Sequence, residues 1–109
     1  MNLNLTVVSD SMMPVISINT QLEISEKTKA LQTFDIIVFT RHGRLVAHYV
    51  WKNQYHFNKT IITRSLKSIY NDEEPVGYSE IAGVVTNCKI GFLQRCKIRL
   101  LCLLNGAYS

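Results

Sequence analysis

Apolar and polar residues alternate with a period of two over much of this chain, the pattern of half-buried strands. Leu5 and Val7 alternate with Thr6 and Val8 until Ser9-Asp10-Ser11 breaks the run. Leu22 and Ile24 alternate with Gln21, Glu23 and Ser25, and predict a strand with one wet face. Asp35-Ile36-Ile37-Val38-Phe39-Thr40 is rich in β-branched side chains and predicts a buried strand. Arg41-His42-Gly43-Arg44 predicts a turn into a strand over residues 45–51, with Gly43 supplying the permissive backbone. Residues 55–57 and 60–63 predict two further short strands around Asn58-Lys59. Residues 26–33 read as a polar connection with at most one helical turn. Residues 64–79 are polar too, with Asn71-Asp72-Glu73-Glu74-Pro75 as a loop. Strand character returns over residues 81–85 around Gly83. From Cys88 onward two patterns compete: Leu93, Cys96, Leu100 and Leu104 fit a helix face, whereas Lys97-Ile98-Arg99-Leu100 alternates like a strand. The fold class is mainly β, a domain of short antiparallel strands over residues 1–87 followed by an apolar tail over 88–109.

Composition narrows the picture. The chain has 109 residues, 47% apolar and 18% charged, which suits one domain able to bury a core and argues against disorder. Three cysteines cannot form a fully paired disulfide framework within one chain, and a reducing compartment is the simpler expectation. The net charge of +4 resides on Lys89, Arg95, Lys97 and Arg99, because residues 1–87 carry eight basic and eight acidic side chains. Such a tail can attract the phosphates of nucleic acid or lipid, peripheral membrane contact included. Four charges make only a mild field, however, and a solvated strand or helix edge is the simpler reading. The first residues lack a signal-peptide pattern, and no apolar run approaches the roughly 20 residues of a membrane helix. A cytoplasmic or membrane-peripheral location is the expectation. Three histidines and three cysteines without a close ligand pair predict no metal site, and no cofactor is called for.

One segment points to chemistry. In Ser9-Asp10-Ser11-Met12-Met13-Pro14 a strand ends, a serine follows, and a proline soon fixes the chain direction. A serine hydroxyl is a weak nucleophile at neutral pH and needs a base within hydrogen-bond reach. The box Ser9-x-Ser11-Met12-Met13-Pro14 resembles the nucleophile box of type I signal peptidases, in the signal-peptidase/LexA-like serine peptidase superfamily. Further segments resemble that family in the same order. Asp35-Ile36-Ile37-Val38-Phe39 is similar to its Gly-Asp-Ile-Val-Val-Phe strand, and Arg44-Leu45-Val46-Ala47-His48-Tyr49-Val50 to its His-Arg-Val segment. Thr63-Arg64 with Asp72-Glu73-Glu74-Pro75-Val76 resembles its Thr-Lys-Gly-Asp region and later aspartate, and Ile81-Ala82-Gly83-Val84-Val85 its closing Gly-x-Val strand. The likeness spans residues 5–87.

That resemblance implies a coiled antiparallel β fold and a serine endopeptidase acting on an extended peptide with small residues before the cleaved bond. Ser11 would be the nucleophile, His48 the general base and Asp72 its orienting partner, in the manner of the Ser-His-Asp template. The Ser11 backbone N–H and the Ser9 hydroxyl would hold the oxyanion. Met12, Met13 and Pro14 are candidates for the floor of a substrate groove, and Met12 and Met13 equally for packing beneath the serine. His42 and His56 read as turn and edge residues. Four places depart from the family pattern. Asn19-Thr20 stands where Gly-Asp is usual, Phe34 replaces a glycine and predicts a different turn, Tyr49 replaces an arginine, and Ser65-Leu66 replaces Gly-Asp. The membrane anchor usual before the serine in that family is not seen in this sequence, so the resemblance does not by itself imply the family's export role. The alternative function is a catalytically inactive module of the same fold that binds a peptide or a protein. A self-cleaving regulator of the LexA kind would carry a DNA-binding helical segment before Ser11, for which there is no room, so nucleic acid is not an expected partner.

Overall fold

Residues 3–6, 12, 15–16 and 19–106 are described by the computed structural model of this chain. Its elements, in chain order, are β1 (Leu3–Thr6), β2 (Gln21–Ser25), β3 (Ile36–Arg41), β4 (Arg44–Gln54), α1 (Tyr55–Asn58), β5 (Thr60–Arg64), β6 (Val76–Gly77), a 3-10 turn (Tyr78–Glu80), β7 (Ile81–Val85) and α2 (Phe92–Asn105). Among the described residues, seven strands form one antiparallel sheet in the order β1-β2-β7-β3-β4-β5-β6. The mainly β reading therefore holds.

The apolar run of β3 explains its central place. Ile36 and Val38 point into one hydrophobic cluster, with Leu22, Ile24, Tyr49, Trp51 and Val85, while Ile37 and Phe39 point into another, with Val50, Ile61, Val76 and Ile81. A strand buried on both faces needs an unbroken apolar sequence, and this one has it. The first cluster is covered by α2, which contributes Ile98 and Cys102. The tail therefore settles as a helix, its C-terminus closed by Gly106 in the left-handed region at φ 66°. Register between β3 and β4 runs from Ile36↔Tyr49 to Arg41↔Arg44. The two residues left over, His42 and Gly43, have φ of 53° and 75°, the positive pair that a tight hairpin turn requires.

Residues 55–57 correct the strand expectation. They form a single helical turn, α1, which reverses the chain between β4 and β5. Two asparagines make the reversal: Asn53 Oδ1 accepts the Tyr55 N–H at 2.9 Å, and Asn58 Oδ1 accepts the Thr60 N–H at 3.2 Å. Such local side-chain bonds compete directly with a strand ladder. Lys59 completes the turn at φ 59°. The polar stretch after β5 hides one more short strand, β6, which pairs with Thr60 and Ile61.

Asn19 and Phe34 are two further non-glycine residues with positive φ. Asn19 adopts φ 72° and Phe34 adopts φ 77°, the left-handed region where a glycine is most at ease. For phenylalanine this costs about 1–2 kcal/mol. The offset is visible in its packing. The Phe34 ring is buried, stacks on Tyr49 at 5.6 Å, and meets Trp51 edge-on at 6.1 Å. The guanidinium groups of Arg95 and Arg99 on α2 lie 5.4 and 5.2 Å from its centroid. The aromatic ring of Phe34 seats α2 on the sheet.

Beneath α2 lies a buried cation. Arg64, only 1% exposed, stacks its guanidinium 3.8 Å from the centre of the Trp51 ring, and donates to Asn71 Oδ1 at 2.8 Å and to Cys102 Sγ at 3.2 Å. Beside it, burial pushes the Tyr49 phenol up to about 12, although the neighbouring Arg64 charge pulls the other way. All three cysteines are free thiols.

Candidate active site

Three elements converge on His48. Alternation along β4 sends Tyr49 and Trp51 toward the α2 side, so His48 and Val50 face the other cluster. There the imidazole lies edge-on to Phe39 with ring centres 6.0 Å apart. Register between β4 and β5 sets Val50 opposite Thr63, which puts the Thr63 side chain on the same face. The chain then leaves β5 and returns with Asp72, whose backbone N–H donates to the Thr63 carbonyl at 2.9 Å.

This return delivers a carboxylate to the imidazole. Asp72 Oδ2 lies 2.7 Å from His48 Nδ1, and the same oxygen accepts the Thr63 hydroxyl at 2.6 Å. The pair is half-buried, with side chains 15% and 25% exposed. Burial alone would raise the Asp72 pKa. Hydrogen bonds from His48 and Thr63, with the charges of His48 and Arg41, outweigh it and hold the carboxyl below its usual value. In a neutral imidazole, an ionised acceptor at Nδ1 favours the tautomer with its proton on that nitrogen, which leaves the Nε2 lone pair available.

The loop after Asp72 is pinned from β3. Arg41 donates from Nη1 to the Glu74 carbonyl and from Nη2 to the Pro75 carbonyl, both at 3.2 Å, and reaches the Glu74 carboxylate at 3.4 Å. The ion pair itself is exposed and worth little. The two carbonyl contacts matter more, because they fix the loop that carries Asp72.

Of the residues singled out in the sequence, His48 and Asp72 are brought together. Ser9, Ser11, Met13 and Pro14 lie outside the described residues. Met12 is described: it is a core side chain in the cluster under α2, and its carbonyl accepts the Ile16 N–H at 2.8 Å. That is the packing use of this methionine. His42 sits in the β3–β4 turn and His56 on α1, where its ring meets Tyr55 edge-on at 5.5 Å. Sequence reasoning assigned no role to Thr63 or Arg41. The signal for Thr63 was its place beside Asp72 in the quoted order, with a hydroxyl on a strand otherwise rich in isoleucine.

Comparison with protein-family models, with curated proteins and with solved structures finds no match to this chain.

Proposed function

We propose that this chain is a serine endopeptidase of the signal-peptidase/LexA-like kind, with Ser11 as nucleophile, His48 as general base and Asp72 as the group that orients the imidazole and stabilises its charged form. One observation carries the reading: the 2.7 Å contact of His48 Nδ1 with Asp72 Oδ2, backed by Thr63 on the same oxygen. Solvated loop carboxylates have no need of a buried threonine and a strand histidine. Two of the three proposed partners, 24 residues apart in sequence, thus meet in the arrangement that a hydroxyl nucleophile requires of its base.

In the proposed reaction the Ser11 hydroxyl transfers its proton to His48 Nε2 as Oγ bonds to the scissile carbonyl carbon. The imidazolium, stabilised by Asp72, then protonates the leaving nitrogen as the C–N bond breaks. Water attacks the acyl-serine with His48 again taking the proton, and the serine is restored as the acid product departs. The Ser11 N–H and the Ser9 hydroxyl are the proposed oxyanion donors. An extended peptide would bind by strand addition at a sheet edge, and residues with small side chains before the cleaved bond are the proposed preference.

The test is cleavage of alanine-rich peptide reporters by the full chain and by Ser11→Ala and His48→Ala. Loss of cleavage in both variants, with unchanged thermal unfolding, is the expected result. Undiminished cleavage by Ser11→Ala overturns the assignment. A wild-type chain that binds the reporters and never cleaves them leaves the binding-module function instead.

A further inference from the structure

The face of α2 that turns away from the sheet is apolar. Phe92, Leu93, Leu100, Leu103 and Leu104 are each 56–82% exposed, and Cys96 is exposed among them. Their spacing of one, three, four, three and one residues sets all six on one side of the helix, opposite the buried Ile98 and Cys102. Solitary exposed apolar residues need no explanation; six in one stripe do.

The charges around this stripe say what covers it. Helical spacing puts Lys97 along one margin, beside Leu93 and Leu104, and Arg95 and Arg99 along the other, beside Phe92. Lys89 precedes the helix, and residues 88–109 contain no acidic side chain. A second copy of this face would bring cation against cation. An anionic surface with an apolar interior complements both features at once. At 14 residues α2 is about 21 Å long, short of the roughly 30 Å hydrocarbon thickness. No helix among the described residues is long and apolar enough to cross a membrane.

We infer that α2 is an interfacial helix that lays its Phe92–Leu93–Leu100–Leu103–Leu104 stripe into an anionic lipid bilayer, with Lys97 at the headgroup level. Leucine and phenylalanine supply the buried apolar area, and the flanking cations add attraction to acidic headgroups while their stems lie along the apolar boundary. The inference stands apart from the peptidase reading and does not depend on it.

The experiment is co-sedimentation of the full chain with vesicles of phosphatidylcholine alone and with phosphatidylglycerol at about 30 mol%. Binding to the anionic vesicles about tenfold or more above the neutral ones, weakened by salt, is expected. The double variant Leu100→Ser/Leu104→Ser should weaken that binding by a further tenfold or more. Lys97→Glu should weaken it by about fivefold or more. Because these side chains are exposed, thermal unfolding of each variant in the absence of lipid should match the wild type. Failure to bind anionic vesicles overturns the inference, as does equal, salt-insensitive binding to neutral ones. A dimer in sedimentation equilibrium that the leucine variants convert to monomer would assign the stripe to a second copy and overturn it equally.

Discussion

Replacing Gly83 by alanine puts a methyl group where β7 and β2 come closest. The added Cβ would lie 2.3 Å from Ile24 Cγ2 and 2.3 Å from the Ser25 carbonyl oxygen. Both distances fall at least ~1 Å short of ordinary contact. The isoleucine methyl can rotate away; the carbonyl belongs to the backbone, so β2 itself has to move. The pairs Ile24↔Val85 and Ser25↔Val84 adjoin the clash. Overpacking strain of about 1–3 kcal/mol, with one or two ladder bonds at about 1 kcal/mol each, gives a loss of about 2–5 kcal/mol from a total of about 5–15 kcal/mol. Urea unfolding reads the loss, and native-state hydrogen exchange locates it. Protection should fall most in β1 and β2 and least in the β3–β4 hairpin. Cleavage of a reporter peptide should fall with it, because the segment carrying Ser11 joins those two strands. A stability change below about 0.5 kcal/mol, or an equal loss of protection across the whole sheet, would refute the reasoning.

Phe34→Gly should destabilise less than Phe34→Ala, by about 1 kcal/mol, because glycine gives up the same packing but relieves the positive φ; chemical denaturation of the two variants decides, and the reverse order contradicts the strain assigned to Phe34. Asp72→Asn should lower reporter cleavage by at least about a hundredfold, with a thermal midpoint that changes far less than the rate. Because the Asp72 pKa is lowered on folding, its ionised form stabilises the native chain above the ordinary carboxylate value of about 3.9, and that contribution fades as pH falls through the lower folded value. Thermal unfolding between about pH 6 and pH 2 should therefore show the wild-type advantage over Asp72→Asn shrinking on the acid side, and a pH-independent difference would contradict it. Thr63→Val removes the hydroxyl that holds Asp72 and should cost about 1–2 kcal/mol, while moving the acid limb of stability to higher pH as the carboxyl pKa rises toward its usual value.

The strands were legible where one face is wet or where both are dry. Leu22 and Ile24 against Gln21 and Glu23 announce β2, and the unbroken apolar run of β3 announces a strand buried on both sides. α1 was not legible, since four residues are too few for periodicity and the deciding bonds come from Asn53 and Asn58. The competing patterns in α2 have a physical source: its most apolar stripe faces outward, so the hydrophobic pattern does not mark the buried side. At the site, His48 and Asp72 could be picked out only through the order of segments, because nothing local says that the loop returns to β4. The quoted Thr63-Arg64 pair gave no sign that Arg64 would be buried. Arginine is almost never buried without partners, and its partners come from β4, the loop after β5, and α2.

Phe34 makes α2 more than an appendage. A chain cut short before Phe92 would leave the aromatic rings of Phe34, Tyr49 and Trp51 facing water and strip Arg64 of its thiol partner. The left-handed turn would then carry its backbone penalty with no packing in return. The helix is thus the keystone of its own side of the sheet, and shortening the protein from that end should unsettle the very strand that carries His48.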